Sequence, residues 1–155
     1  MTPQAQYQLC KNSEWCIFGD SPTLASLNKD YGERAAELWL VPQLTDLAIF
    51  SNCKEMLTSE QIKSLASLIV AEFYYLKMSE LMLFFYKFKT GLYGLMYGTV
   101  APMSIMRALK QFLLYRNEEY ERRDREQAAR KAAEDKKNAI TYEEYLRRKQ
   151  QKREV

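Results

Sequence analysis

Histidine is absent from this chain of 155 residues. Its absence removes the commonest general base, and with it Ser–His and Cys–His nucleophilic pairs. Cysteine is sparse and odd in number: Cys10, Cys16 and Cys53. These spacings contain no CxxC pair and suggest no disulfide framework. Without imidazole, three cysteines are too few for the usual zinc sites. There are five glycines and four prolines. The glycines form neither GxxxxGK[ST] nor GxGxxG, so a nucleotide-phosphate cradle is not expected. No apolar run reaches the ~18–20 residues of a membrane span. The first residues, MTPQAQYQLCKN, lack the basic stretch and apolar core of a secretory signal, so cytoplasmic residence without membrane association is expected. The acidic residues are scattered, and no paired carboxylates stand out for acid–base work. The expectation is a protein that is not an enzyme and uses no cofactor and no metal.

What is present is helical periodicity, most clearly around residues 72–98, EFYYLKMSELMLFFYKFKTGLYGLMYG. Ile62, Leu65, Ala66, Ile69, Val70 and Phe73 fall on one helical stripe. Thr58 with Gln61 reads as a capping box opening that helix. Ser79 is placed to cap the next one. Leu81 to Phe85 and Phe88 are apolar nearly all round, which predicts a buried central helix. Gly91 is placed to end it in the left-handed conformation. Gly94 and Gly98 then break up the following aromatic segment.

The rest of the chain follows the same rules. Residues 1–20 show little periodicity and read as a loose N-terminal arm, with Trp15, Ile17 and Phe18 available to dock it. Ser21 and Pro22 read as cap and first helical position, and Gly32 as the stop. Pro42 should kink or restart the helix containing Leu38, Leu40, Leu44 and Leu47. Within it, Gln43–Leu47 (QLTDL) is similar to the glutamine–leucine peptide with which bacterial replication proteins bind the sliding clamp. Such peptides are exposed and extended, whereas these leucines are wanted by a core. Pro102 opens a helix whose apolar face ends near Arg116. The Glu, Arg, Lys and Ala that follow favour helix, and Glu118–Arg122, Glu119–Arg123 and Glu121–Arg125 are favourable i,i+4 pairs. Thr141 with Glu144 reads as a second capping box. The expected fold class is all-α: a compact bundle of five or six short helices over residues 21–116, then a protruding charged helix over 117–138. Residues 139–155 form a short C-terminal helix or docking tail.

Charge is unevenly spread. Residues 1–101 carry 8 basic and 10 acidic side chains, and residues 102–155 carry 15 and 10. A basic excess at the C-terminal end suits nucleic acid or an acidic partner, and equally suits a solvated helix of mixed charge. Lys87, Lys89, Tyr93 and Tyr97 could meet around the glycine turn, with lysines on a phosphate backbone and tyrosines stacked on unpaired bases. The alternative is ordinary packing. Arg122, Arg123, Arg125, Arg130 and Lys131 are the corresponding tail candidates. Tyr142, Tyr145 and Leu146 make a small apolar patch suited to docking a protein partner or to folding back.

Residues from about Leu44 to Arg123 resemble a family of small, uncharacterised helical proteins found in phages and mobile elements of gut anaerobic bacteria. The resemblance lies in the EFYYLKMSELMLFFYKFKTGLYGLMYG block, the TVAPMSIMRALKQFL helix and the YRNEEYERR extension. That family in turn is distantly similar to small helical proteins that load or modulate the replicative DNA helicase. The resemblance implies a non-enzymatic DNA-replication accessory protein. Its partners would be single- or double-stranded DNA, the replicative helicase or another replisome protein. The alternative is an adaptor or inhibitor that binds protein only.

Overall fold

The apolar block at Leu81–Phe88 becomes a helix surrounded by the rest of its unit. The computed structural model describes residues 1–51, 56–94 and 100–154. Asn52, Cys53, Tyr97 and Gly98 lie outside them. Among the described residues there are eight α-helices and no strand. They are α1 (Gln6–Leu9), α2 (Ser13–Phe18), α3 (Leu24–Tyr31), α4 (Ala35–Ser51), α5 (Ser59–Glu72), α6 (Met78–Lys89), α7 (Pro102–Asn138) and α8 (Tyr142–Glu154). The fold is all-α. The chain divides into two units, Met1–Arg116 and Asn117–Val155.

In the first unit, α6 is the centre. Its residues from Met78 to Phe85, and Phe88, are buried. α1, α2 and α4 pack on it, and α4 also packs on α3 and α5. Phe84 organises the aromatic core, with Phe85, Phe88, Tyr93 and Phe112 rings centred 5.4–6.0 Å away. Tilted and edge-on ring pairs at such distances are favourable.

Local signals were read well where both partners are close in sequence. The Thr58 hydroxyl accepts from the Gln61 amide, and the Gln61 side chain accepts from the Thr58 amide, completing the capping box. Gly32 closes α3 with φ 116°, and Gly91 follows α6 with φ 83°.

Four local expectations are corrected. Residues 1–20 are not a loose arm: they form a 3-10 turn and two helices, and Gln6, Cys16 and Ile17 are buried. Their helices are too short to show periodicity. Ser21 and Pro22 do not start α3, whose cap is Thr23. They serve α6 instead: the Pro22 carbonyl accepts from the Met78 amide, and the Ser21 hydroxyl accepts from the Ser79 amide. The orphan amides of a buried helix start are thereby satisfied. Ser79 accordingly sits inside α6, where its hydroxyl donates to the Cys16 carbonyl. Finally, α4 does not restart at Pro42 but continues through it. Proline leaves the carbonyl four residues earlier without its amide partner. That carbonyl belongs to Leu38, an exposed residue, where water can take the bond.

The second unit holds the later part of α7 and α8. None of its described residues is buried. The Thr141 hydroxyl accepts from the Glu144 amide at 3.3 Å, capping α8.

Candidate functional site

Five charged residues of the first unit, Lys77, Glu80, Arg116, Lys89 and Asp46, make contacts that hold it together. Glu80 has no exposed surface. Its Oε2 accepts from Arg116 Nε at 2.8 Å, and Lys77 Nζ lies 3.9 Å from Oε1. Lys77 also donates to the carbonyls of Ile17 and Gly19 at 2.6 and 2.8 Å, ending α2 with a cation. Burial raises the Glu80 pKa, and Arg116 opposes it by charge and hydrogen bonding. Sequence inspection missed this cluster because Arg116 lies 36 residues from Glu80, and the Ile17 and Gly19 carbonyls 60 and 58 residues from Lys77, although Lys77 and Glu80 are only three apart.

Lys89 is corrected in the same way. Its side chain is only 6% exposed. The ammonium donates to Asp46 and, at 2.9 Å, to Gln6 Oε1. Gln6 donates on to Gln43, and Gln43 to the Met1 carbonyl. Lys89 thus joins α6 to α1 and α4 and is not presented to a nucleic acid. The same network accounts for QLTDL: Gln43, Leu44 and Leu47 are buried in α4.

Tyr93 is also internal. Its ring packs on Phe84 and Phe88, and its hydroxyl is buried without a hydrogen-bond partner among the described residues. Burial pushes its pKa up, and Tyr115 adds to this. Lys87 is half-buried, with Nζ 3.5 Å from the centroid of the Tyr115 ring. Two residues apart on a helix, Lys87 and Lys89 point to opposite sides. The glycine turn therefore does not gather Lys87, Lys89 and Tyr93 into one binding surface. Tyr97, the fourth member, lies outside the described residues.

Of the described cysteines, Cys10 is half-buried and Cys16 buried. Cys16 is buried and donates to the Leu9 carbonyl at 3.5 Å. The neighbouring Cys16 thiol, together with burial, raises the Cys10 pKa, and Cys10 lowers that of Cys16. Among the described residues no cluster of three His, Cys, Asp or Glu could hold a metal ion. No described helix is long and apolar enough to cross a membrane.

In the second unit the side chains are presented outward. Arg125, Arg130 and Lys131 are exposed on α7, and Arg123 is half-buried. Arg122 is bound to Glu119 and Glu126 at 2.8 and 2.7 Å, which raises its pKa. Residues 117–138 hold seven Lys and Arg and seven Asp and Glu, so this stretch is electrically neutral. On α8, Tyr142 is 74% exposed, with Tyr145 and Leu146 also open to solvent. From Tyr145 to Arg153 the helix carries five cations and no acid. Composition alone had placed the basic candidates on α7. The local charge sum moves the weight to Arg147, Arg148, Lys149, Lys152 and Arg153.

The first unit is thus an all-α core holding a small set of buried ion pairs, and the second unit is helical with no described residue buried. The chain belongs to DUF6633, a family of unknown function whose pattern matches residues 55–154. No curated protein and no solved structure matches the chain.

Proposed function

We propose that the protein is a non-enzymatic accessory protein of DNA replication. It acts by binding nucleic acid or a replisome protein, such as the replicative helicase. The second unit makes the contact, and the first unit is the scaffold. One observation carries the assignment of the contact: none of the described residues 117–154 is buried, yet the family match extends to residue 154. A segment that contributes no buried residue to a core has its family pattern to offer to something else. The replication assignment itself draws on the resemblance of residues 44–123 to small helical phage and mobile-element proteins akin to helicase loaders.

Titration of labelled single- and double-stranded DNA, followed by fluorescence anisotropy at low and moderate salt, tests the reading. Binding that weakens steeply with salt supports it, because phosphate contacts release counterions. A helicase that co-elutes with the protein would support the replisome arm. A chain that binds neither DNA nor helicase overturns the replication reading. The second reading, a protein-only adaptor, is favoured by one specific feature, the exposed Tyr142, Tyr145 and Leu146 patch on α8. Substituting these three by alanine would then abolish partner capture without altering any DNA binding.

A further inference from the structure

We infer that α8 is a duplex-binding helix, which enters the major groove of B-form DNA with its C-terminal half and sets cations on the phosphates of both groove walls. This rests on the nucleic-acid arm of the proposed function and gives it a location and a ligand class. Three observations carry it.

The first is the charge sum. Tyr145–Arg153 holds five cations and no acid, whereas residues 117–138 are neutral. The acids of α8 stand at its ends: Glu143 and Glu144 in the first turn, where they suit the helix dipole and lie one turn before Arg147 and Arg148, and Glu154 as its last residue.

The second is availability. All five cations are exposed, and among the described residues no ion pair involves any of them. Lys149 merely lies 6.0 Å from the Tyr145 ring centroid. Arg122 on α7 is instead neutralised by two glutamates.

The third is direction. Arg147, Arg148 and Lys149 are consecutive, so at roughly 100° per residue they point to three sides of the helix. Lys152 falls between Arg148 and Lys149, and Arg153 falls beyond Lys149. Cations on most of the circumference suit a helix with phosphates on either hand. A helix with its side chains is about 10–12 Å across and the B-form major groove about 12 Å wide.

A helix lying on an anionic membrane, or in an apolar protein groove, needs an apolar stripe along its length. On α8 that stripe stops early. Tyr142, Tyr145 and Leu146 occupy the first turns, and Lys149 and Arg153 continue the same line. The tyrosine patch is left for the mouth of the groove.

The test uses the intact chain and two variants. One is Arg147→Gln/Arg148→Gln/Lys149→Gln/Lys152→Gln/Arg153→Gln, and the other Arg125→Gln/Arg130→Gln/Lys131→Gln. Glutamine keeps helix propensity, and no substituted side chain is buried, so folding is not at risk. Anisotropy is read with a duplex of about two helical turns, its single strand, and anionic phosphatidylserine vesicles, across a salt series. With about four phosphates contacted, duplex affinity of the intact chain should fall on the order of 10²-fold between about 50 and 200 mM salt. The α8 variant should lose at least tenfold in affinity and most of the salt slope, and the α7 variant little of either. Duplex binding with an unchanged slope in the α8 variant overturns the inference and leaves the proposed function standing. Preference for single strand or for vesicles also overturns it. No nucleic-acid binding by the intact chain removes the nucleic-acid arm itself.

Discussion

Glu80 has no exposed surface, and its carboxylate meets two cations from different parts of the chain, Lys77 at 3.9 Å and Arg116 at 2.8 Å. A buried ion pair contributes little net stability, but removing one partner strands the other's charge. Burial raises the Glu80 pKa, and Arg116 holds that rise in check. A carboxyl whose folded pKa lies above its unfolded value binds its proton more tightly when folded. Its contribution is then most favourable below the unfolded pKa and declines as pH rises towards the folded one. Arg116→Met removes the check and pushes the folded pKa higher, widening that window. The variant should be about 1.5–3 kcal/mol less stable at neutral pH, because the buried carboxylate loses its charge-assisted hydrogen bond while Lys77 stays at 3.9 Å. Part of that loss should return as pH falls towards about 5, since the folded state then takes up the proton. Urea titrations at the two pH values measure this, and an equal deficit at both would show that Glu80 ionisation is not involved. Lys89 gives a parallel case. Lys89→Ala leaves Asp46 and buried Gln6 short of a donor, and should cost about 1–3 kcal/mol with Asp46 partly screened by its exposure. DNA affinity measured on the same preparation should not change. A Lys89→Ala chain that is fully stable but binds weakly would restore Lys89 to a surface role.

The elements differ in how far away their determinants lie. The α5 capping box joins residues three apart, which is why Thr58 and Gln61 could be read directly. Thr58→Ala should cost about 1 kcal/mol, seen as a lower urea midpoint with an unchanged m-value. The burial of α6 was equally visible, since Leu81 to Phe85 is apolar on every side. The start of α6 was not. Its amide partners on Ser21 and Pro22 lie 58 and 56 residues back, and a Ser-Pro dipeptide reads locally as a helix start. The same distance hid Lys89, whose partners are 43 and 83 residues away, and made it look like a free surface cation. At α8 the residues were visible but the weighting was not: counting charge over the whole C-terminal third concealed a neutral α7 segment beside a cationic helix. Helices of this length are marginal in water without packing. The α8 amides should therefore exchange with solvent near their unprotected rate in the free protein, while α6 amides exchange only at the rate set by global unfolding. Hydrogen exchange on the intact chain reads both at once. Strong α8 protection in the free protein would mean that it is already packed against something.

At the scale of the whole molecule, the two ends of the chain should respond oppositely to removal. Among the described residues, ending the chain at Arg116 deletes none that is buried, and it keeps the Arg116 side chain on Glu80. Stability should change by less than about 0.5 kcal/mol, as for surface changes away from a core. Starting it at Ser21 looks equally harmless from periodicity, because residues 1–20 carry no helical stripe long enough to notice. It instead takes Cys16 and Ile17 out of the core. It strips Lys77 of the Ile17 and Gly19 carbonyls, and Lys89 of Gln6. The Ser79 hydroxyl loses its acceptor on Cys16. Two buried apolar side chains and four polar contacts fail together around α6, and such losses compound where sites share partners. Each buried side chain removed costs roughly 2–5 kcal/mol, so two of them approach the whole stability of a domain of this size. The shortened chain should show no cooperative unfolding transition by circular dichroism, whereas the chain ending at Arg116 keeps one. A sharp transition in the chain starting at Ser21 would mean that α6 is centred by α4 and α7 alone, and that the N-terminal helices only cover it.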